Sequence, residues 1–216
     1  MRIGVLGTGM VGNTIGSKLI QLGHEVRMGS RAAGNEKAVA WAVQAGEDAS
    51  EGTFAESAAF GEIVVNCTAG VASLDALAAA GEENLAGKLL IDVANPIDFS
   101  GGMPPTLSVC NEDSLGESIQ RAFPGARVVK ALNTVNCDVM VEPLSVPGEH
   151  VAFVCGDEAA AKDEAVALLG TFGWPPERVL DLGGISASRG LEMYLLFWLG
   201  VYGALGTHRF NIAIAR

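Results

Sequence analysis

Three glycines near the start of the chain limit what it can fold into. Gly7, Gly9 and Gly12 form a G-x-G-x-x-G motif, which follows a short apolar segment at residues 2–6 and opens an amphipathic run at residues 10–22. After a strand, the first glycine allows a tight turn, the second lets backbone approach a pyrophosphate, and the third lets the helix pack close to the strand. The N–H groups at the start of the helix favour such an anion. The motif therefore predicts a dinucleotide-binding site.

The end of the second predicted strand, residues 24–29, distinguishes between the two nicotinamide dinucleotides. An NAD site typically carries Asp or Glu there, to bind the ribose 2′-hydroxyl. This chain carries Ser30 and Arg31 instead. A hydroxyl and a guanidinium bind a 2′-phosphate through charge-assisted hydrogen bonds, whereas a carboxylate would repel it. The sequence therefore predicts NADP, with Thr8 and Lys37 as further contacts.

Strands and helices alternate along most of the chain, which predicts an α/β fold with a Rossmann-type, doubly wound and mostly parallel sheet. Residues 45–59 are expected to form a loop with a short helix at residues 53–58, and residues 97–108 to be irregular. A Pro-broken linker at residues 141–149 precedes two further strands, at residues 150–155 and 178–182, and two helices. We expect an NADP-binding Rossmann domain at residues 1–134 and a small C-terminal α+β cap domain for substrate binding and dimerisation at residues 135–216.

Three further loops follow predicted strands and should meet the glycine motif, because ligands of such sheets bind at the carboxyl ends of the strands. Their residues are small or carry amides, so the ribose and the nicotinamide could lie close to the backbone. The polar candidates for the carboxamide or for a second substrate are Asn95 and Asn133, with Thr134 beside them, although Asn is also common in ordinary turns. The remaining cofactor candidates in these loops are Cys67, Thr68, Ala69, Ala94 and Ala131.

The same loops lack a convincing proton donor, since they contain no His, Glu or Tyr. Asp92 lies inside a predicted strand and is expected to be structural, and Lys130 is poorly spaced from Asn133 for a hydroxyacid dehydrogenase. A site without an acid favours a reaction that needs mainly stacking and orientation, such as direct hydride transfer between nicotinamide and another flat redox ring. The sequence therefore predicts no catalytic side chain of the acid–base kind.

The charge and cysteine content bound the partners of the protein. A formal net charge of −11 argues against nucleic acid and anionic membranes as partners. The four cysteines are scattered and show no metal-binding spacing, so we expect reduced thiols, no metal and a cytoplasmic location. The apolar helix predicted at residues 188–206 is too short and interrupted for a membrane span and is expected to be buried, against the cap and a second subunit.

The chain resembles the coenzyme F420-dependent NADP oxidoreductases along nearly its whole length. The matching segments are GVLGTGMVG, LGHEVRMGSR, LLIDVANP, VVKALNTVN, FVCGD and LDLGGISASRGLE, in the order and spacing of the family. The resemblance implies a hydride transfer between NADPH and the deazaflavin F420, which would lie in a cleft between the two domains, and a homodimer. It also implies NADP contacts from Thr8, Gly9, Met10, Val11, Ser30 and Arg31.

Two positions depart from the archaeal members of this family. Those members carry His where this chain has Asn133, and a bulky Pro-containing segment in place of Thr68, Ala69 and Gly70. The Asn version also resembles the NADPH domain of the six-transmembrane metalloreductases, which pass hydride to a flavin. The second substrate is therefore F420, FMN or FAD in our first hypothesis. The alternatives are an NADPH-binding sensor without turnover and a small carbonyl or imine reductase.

Overall fold

The alternation of apolar strands and helices produces one large sheet in the computed structural model, which describes residues 1–215. The sheet has eight strands, and all neighbouring strands are parallel except for one antiparallel pair. This confirms the predicted Rossmann-type fold. The strands are β1 (Arg2–Leu6), β2 (Glu25–Ser30), β3 (Ala49–Thr53), β4 (Ile63–Asn66), β5 (Leu89–Asp92), β8 (Arg127–Ala131), β9 (Ala152–Cys155) and β10 (Val179–Asp181), and β6 (Ile97–Asp98) pairs with β7 (Thr106–Leu107) in a separate ribbon. The order in the sheet is β10-β9-β8-β5-β4-β1-β2-β3, and the antiparallel pair is β8 and β9.

Helices cover both faces of this sheet, so its central strands are buried and apolar. Side chains of β1 alternate between the faces, with Ile3 and Val5 in one core and Leu6 in the other. The helices are α1 (Met10–Gln21), α2 (Glu36–Ala45), α3 (Phe54–Phe60), α4 (Gly70–Ala80), α5 (Glu82–Leu85), α6 (Leu115–Ala122), α7 (Cys137–Val141), α8 (Ala159–Thr171) and α9 (Ser188–Leu205), with short 3-10 turns at Pro143–Ser145, Pro176–Arg178 and Ile185–Ala187.

Three segments differ from the sequence-based expectation. Residues 97–108, expected to be irregular, contain the short strands β6 and β7, which pair with each other. Residues 49–53 form the edge strand β3 instead of a loop, because the open edge of β2 pairs with them despite their Ser, Glu and Gly content. The segment expected to be a linker at residues 141–149 is partly helical, since it begins with the last residue of α7, Val141, and contains the 3-10 turn Pro143–Ser145. The short helix α3 is confirmed, and Thr53 and Glu56 form its capping box.

The C-terminal part of the chain extends the main sheet. It contains strands and helices as expected, but β9 and β10 pair onto β8 at the edge of the same sheet and form no sheet of their own. The division at residue 134 therefore stays a prediction. Helix α9 buries Ser188, Leu191 and Glu192 and exposes much of its apolar surface.

The glycine motif gives a stability prediction. A Cβ at Gly12 would lie 2.0 Å from the Gly7 carbonyl oxygen, whereas a Cβ at Gly9 would have no heavy atom within 4 Å. We expect Gly12→Ala to lower the free energy of unfolding by about 1–3 kcal/mol, the typical cost of overpacking. Gly9→Ala is the matched control and should cost less than about 1 kcal/mol, since only a weak cap is lost. Urea denaturation measures both, and equal losses would contradict this account of Gly12.

Candidate functional site

The carboxyl ends of four neighbouring strands place the predicted loops at one edge of the sheet. The register pairs Leu6 with Asn66, Asn66 with Asp92, and Asp92 with Lys130, so β1, β4, β5 and β8 end at nearly the same level. The loops that follow these strands border two adjoining cavities, which share Cys67, Thr68 and Ala69. We call them the β2 cavity and the α9 cavity after the elements that complete them.

The glycine loop has the conformation that an anion site requires. Gly7 has a φ of +117°, which favours glycine, and its N–H donates to the Gly29 carbonyl at 2.9 Å. Gly12 packs so closely against the loop that a Cβ there would lie 2.0 Å from the Gly7 carbonyl oxygen. No side chain caps the first turn of α1 at Gly9, so backbone N–H groups are presented beside open space.

The β2 cavity, of about 540 Å³, lies beside this loop. Ser30 and Arg31, at the end of β2, line it together with Gly7, Thr8 and Gly9. The buried Ser30 hydroxyl donates to the Ala32 carbonyl at 2.7 Å, which leaves its lone pairs free to accept. Arg31 is exposed, and within residues 1–215 its guanidinium takes part in no recorded hydrogen bond or ion pair. The cavity therefore offers a free guanidinium beside the backbone donors, while the Asp75 carboxylate lines its α4 side.

The α9 cavity, of about 290 Å³, has a different chemical character. Among the residues that the structure describes, those that line it are all uncharged and mostly apolar. Leu195 and Trp198 of α9 close one side of it, and Trp198 stacks on Tyr202 and Phe210 with ring centroids 5.5 and 5.2 Å apart. Such a cavity fits a flat, uncharged ring.

Asn133 is the most constrained polar group of the α9 cavity. Its Nδ2 donates to Asn95 Oδ1 at 2.9 Å and to the Leu191 carbonyl at 3.0 Å, and the Asn95 amide donates back to the Asn133 carbonyl at 2.7 Å. Because a carbonyl only accepts, the amide orientation is fixed. Asn133 is 4% exposed, and its Oδ1 has no partner within the described chain. Leu132, just before it, has a φ of +60°, a strained value for leucine.

Behind these loops lies a buried ionic network. Lys130 Nζ, fully buried, contacts Asp92 Oδ2 at 2.5 Å, Glu192 Oε1 at 2.7 Å and the Ala94 carbonyl at 2.8 Å. Glu192 also accepts the N–H groups of Leu115 and Gly116, which begin α6. On the other side, Asn66 donates to Asp92 and accepts from the Thr68 hydroxyl at 2.7 Å.

The environment sets the charge states in this region. Burial alone lowers the pKa of Lys130, but Asp92 and Glu192 outweigh it, so the pKa is raised and the ammonium stays charged. Burial raises the pKa of Glu192, and attraction to Lys130 offsets part of this increase. Burial also raises the pKa of the Cys67 thiol, which therefore stays protonated and is a poor nucleophile.

The structure brings most of the predicted site residues together. Gly7, Thr8, Gly9, Ser30 and Arg31 line the β2 cavity, Met10, Val11, Ala94, Asn95, Asn133 and Thr134 line the α9 cavity, and Cys67, Thr68 and Ala69 line both. Three candidates lie elsewhere. Gly12 packs behind the loop, Ala131 is fully buried in the core, and Lys37 lines a third depression with Thr8 and Gly9, apart from Ser30 and Arg31.

Sequence reasoning missed the residues contributed by distant segments. Asn35, Phe54 and the α4 side chains line the β2 cavity, and Leu195 and Trp198 line the α9 cavity; the α4 residues are Ala72, Asp75, Ala76 and Ala79. Leu195 and Trp198 are three residues apart on one helix, which is a signal for a shared face but not for what that face covers. No group of three or more His, Cys, Asp or Glu side chains in residues 1–215 is arranged to hold a metal.

The fold and the paired cavities define a dinucleotide-binding protein of the Rossmann class. A family model described as NADP oxidoreductase, coenzyme F420-dependent, matches residues 2–96. A candidate F420-dependent NADP-reductase from Arthrobacter sp. FB24, known from its crystal structure, is 50% identical over 99% of both chains, with a TM-score of 0.93. The chain thus belongs to the F420-dependent NADP oxidoreductase family.

More distant proteins share parts of this architecture. The chain is 26% identical to the metalloreductase STEAP3 of Rattus norvegicus over 191 residues, which are 88% of this chain and 36% of that protein. The chain therefore spans about a third of the length of this relative. An imine reductase from Myxococcus stipitatus in complex with NADP+ matches with a TM-score of 0.64 at 18% identity, over 95% of this chain and 64% of that one. This last likeness concerns the fold alone.

Proposed function

We propose that the protein transfers hydride between NADPH and the flat redox ring of a deazaflavin, coenzyme F420, or of a flavin such as FMN or FAD. The observation that carries this proposal is the pair of adjoining cavities, one with a free guanidinium at the end of β2 and the other uncharged and apolar. NADPH has a phosphorylated, charged end and a flat, nearly neutral nicotinamide end. The β2 cavity suits the charged end, and the α9 cavity suits the nicotinamide. The family to which the chain belongs supports the same activity.

The residues fit the dinucleotide at three places. Gly9 has open space where a pyrophosphate would approach the start of α1, and Ser30 and Arg31 offer an acceptor and a cation for a 2′-phosphate. The unpartnered Oδ1 of Asn133 would accept an N–H group in the α9 cavity. When bound, NADPH supplies the hydride. The chain binds and orients the two redox partners and excludes water, and it does not need to hold or move a proton in this cavity.

Two other functions remain as alternatives. An NADPH sensor would need only the dinucleotide-binding site, whereas a carbonyl or imine reductase would also need a proton donor beside the reacting carbon. The described residues that line the α9 cavity include no Asp or Glu, and the Cys67 thiol has a raised pKa because of its burial. A ring-to-ring transfer is the hypothesis that needs neither a donor nor a regulatory partner.

The proposed phosphate contact gives a test by charge reversal. We expect Arg31→Glu to lower the preference for NADPH over NADH by about tenfold to a hundredfold, since an attraction becomes a repulsion at a phosphate. Dissociation constants for both dinucleotides measure this preference. Arg209→Glu is the matched control, since Arg209 is exposed and lines neither cavity, and it should leave the preference unchanged. An unchanged preference in Arg31→Glu would show that the phosphate is held elsewhere.

The proposed acceptor is tested by following the absorbance of NADPH with F420, FMN and FAD in turn. We expect oxidation with at least one of these rings and none with simple ketones or imines, because the cavity provides orientation but no acid. Turnover with carbonyl compounds alone would favour the reductase alternative. Tight NADPH binding without oxidation by any acceptor would favour the sensor.

We propose further that the protein is a homodimer that buries the exposed apolar side of α9. Met193, Leu196 and Phe197 are exposed and lie close together on one side of this helix, and Phe197 is exposed by 59%. We expect Phe197→Glu to shift the sedimentation coefficient towards that of a monomer, because a charge would be buried at the centre of the contact. The control Val43→Glu alters another exposed apolar residue, 80% accessible on α2, and should leave the assembly intact. Identical sedimentation of both variants and the unmodified protein would rule out this surface.

A cytoplasmic location and small-molecule partners are also part of the proposal. Cys67, Cys110, Cys137 and Cys155 are free thiols, as expected in a reducing compartment. None of the helices in residues 1–215 combines the length and the apolar content that crossing a membrane requires.

A further inference from the structure

Two groups orient the Asn133 amide, the Asn95 side chain and the Leu191 carbonyl, and Lys130 contacts the segment that carries each of them. One segment is the β5 loop, where Lys130 Nζ binds Asp92 and the Ala94 carbonyl, and the next residue, Asn95, bonds to the Asn133 amide. The other is α9, where Lys130 binds Glu192, whose neighbour Leu191 accepts from Asn133 Nδ2 at 3.0 Å. Lys130 itself lines neither cavity, so it can act on a ligand only through these neighbours.

The direction of the hydrogen bonds decides what Asn133 offers. Both partners of Asn133 Nδ2 are oxygen atoms that accept hydrogen bonds. Both N–H groups of the amide are therefore engaged, and the acceptor Oδ1 remains without a partner. Leaving a buried acceptor without a partner is costly, and proteins retain such groups where a ligand supplies the donor. The Oδ1 atom belongs to a residue that is 4% exposed and lines the α9 cavity. An N–H group of a molecule bound in that cavity would supply the missing donor.

We propose that Lys130, through Asp92 and Glu192, is a positioning residue that holds the Asn133 amide with its oxygen towards an N–H donor of the bound redox partners. This inference rests on the proposed function and adds a specificity rule to it. The donor is the carboxamide NH2 of the nicotinamide or the imide N–H of the flavin-type ring. Ligands that lack the relevant N–H bind less tightly, and this discrimination depends on the buried ion pairs.

The test compares ligands that differ by one N–H group. In the first arm, the dissociation constants of NADP+ and its 3-acetylpyridine analogue are measured, since a methyl group replaces the NH2 in the analogue. In the second arm, FMN and N3-methyl-FMN are compared in binding to the protein saturated with NADP+. We expect the unmodified protein to prefer the N–H ligand by about fivefold in one arm, the value of one neutral hydrogen bond. The arm that shows the preference identifies the donor.

The variant that tests the positioning role is Glu192→Gln, which keeps the shape of the side chain and removes the ion pair with Lys130. We expect the preference for the N–H ligand to fall to nearly onefold, because the Leu191 carbonyl is no longer held in place. The matched control is Glu117→Gln, which removes a 2.6 Å ion pair with Arg189 across the same α6–α9 contact but does not reach Asn133. It should lower the melting temperature and leave the preference unchanged. If Glu192→Gln does not fold, Asp92→Asn replaces it, with the same expected loss.

The outcomes separate this inference from the proposed function. A preference that survives in Glu192→Gln and in Asp92→Asn overturns the positioning role, and so does an unmodified protein that binds all four ligands without any preference. If the unmodified protein binds neither NADP+ nor its analogue, the proposed function itself fails. A loss of stability alone would not change the ratio of two affinities, so a purely structural role of Lys130 predicts a constant preference.

Discussion

The ammonium group of Lys130 lies between two carboxylates without access to water. An isolated charge in this position would be very costly, so the three groups are stable only together and only in this geometry. Lys130 lies on β8, Asp92 on β5 and Glu192 on α9, and Glu192 also accepts two N–H groups at the start of α6. The network therefore links the centre of the sheet to the last helix, and it holds the strand ends on which the cavities depend. A network of this kind contributes more to a unique arrangement than to net stability.

The distribution of charge differs between the two cavities. The protein carries a net charge of −11, which disfavours anions in general. At the β2 cavity a single exposed guanidinium and the first turn of α1 counteract this field locally, while the α9 cavity carries no charge in its described lining. In the proposed function, a phosphate would be attracted to the β2 cavity and not to the α9 cavity, and this difference would orient a dinucleotide before any specific contact forms. The anionic tail of an acceptor would have to extend away from the acidic surface or find a basic group outside the cavities.

Local sequence patterns predicted the fold correctly, and they also named the residues proposed for the phosphate, because both depend on residues close together in the chain. The glycine motif, the strand before it and Ser30 with Arg31 lie within one βαβ unit, so their meaning does not depend on the rest of the fold. The edge strand β3 was missed because its pairing depends on the free edge of β2 and not on its own propensity. Ala131 was predicted for the site together with Asn133, yet it is the last residue of β8, pairs with Val154 and is buried in the core, whereas Asn133 lies in the loop that follows.

The ionic network and the α9 wall could not be predicted in this way, since they arise from register and from contacts between distant segments. Asp92 and Lys130 become neighbours only when β5 and β8 pair in the observed register, and Glu192 joins them only when α9 packs on α6. The same packing brings Leu195 and Trp198 to the cavity and the Leu191 carbonyl to Asn133. A protein that only sensed NADPH would need no apolar wall fixed by buried charges at the cavity proposed for the nicotinamide. The cost of burying those charges is physically reasonable where a second flat ring must be held in a fixed position, and this supports hydride transfer over simple binding.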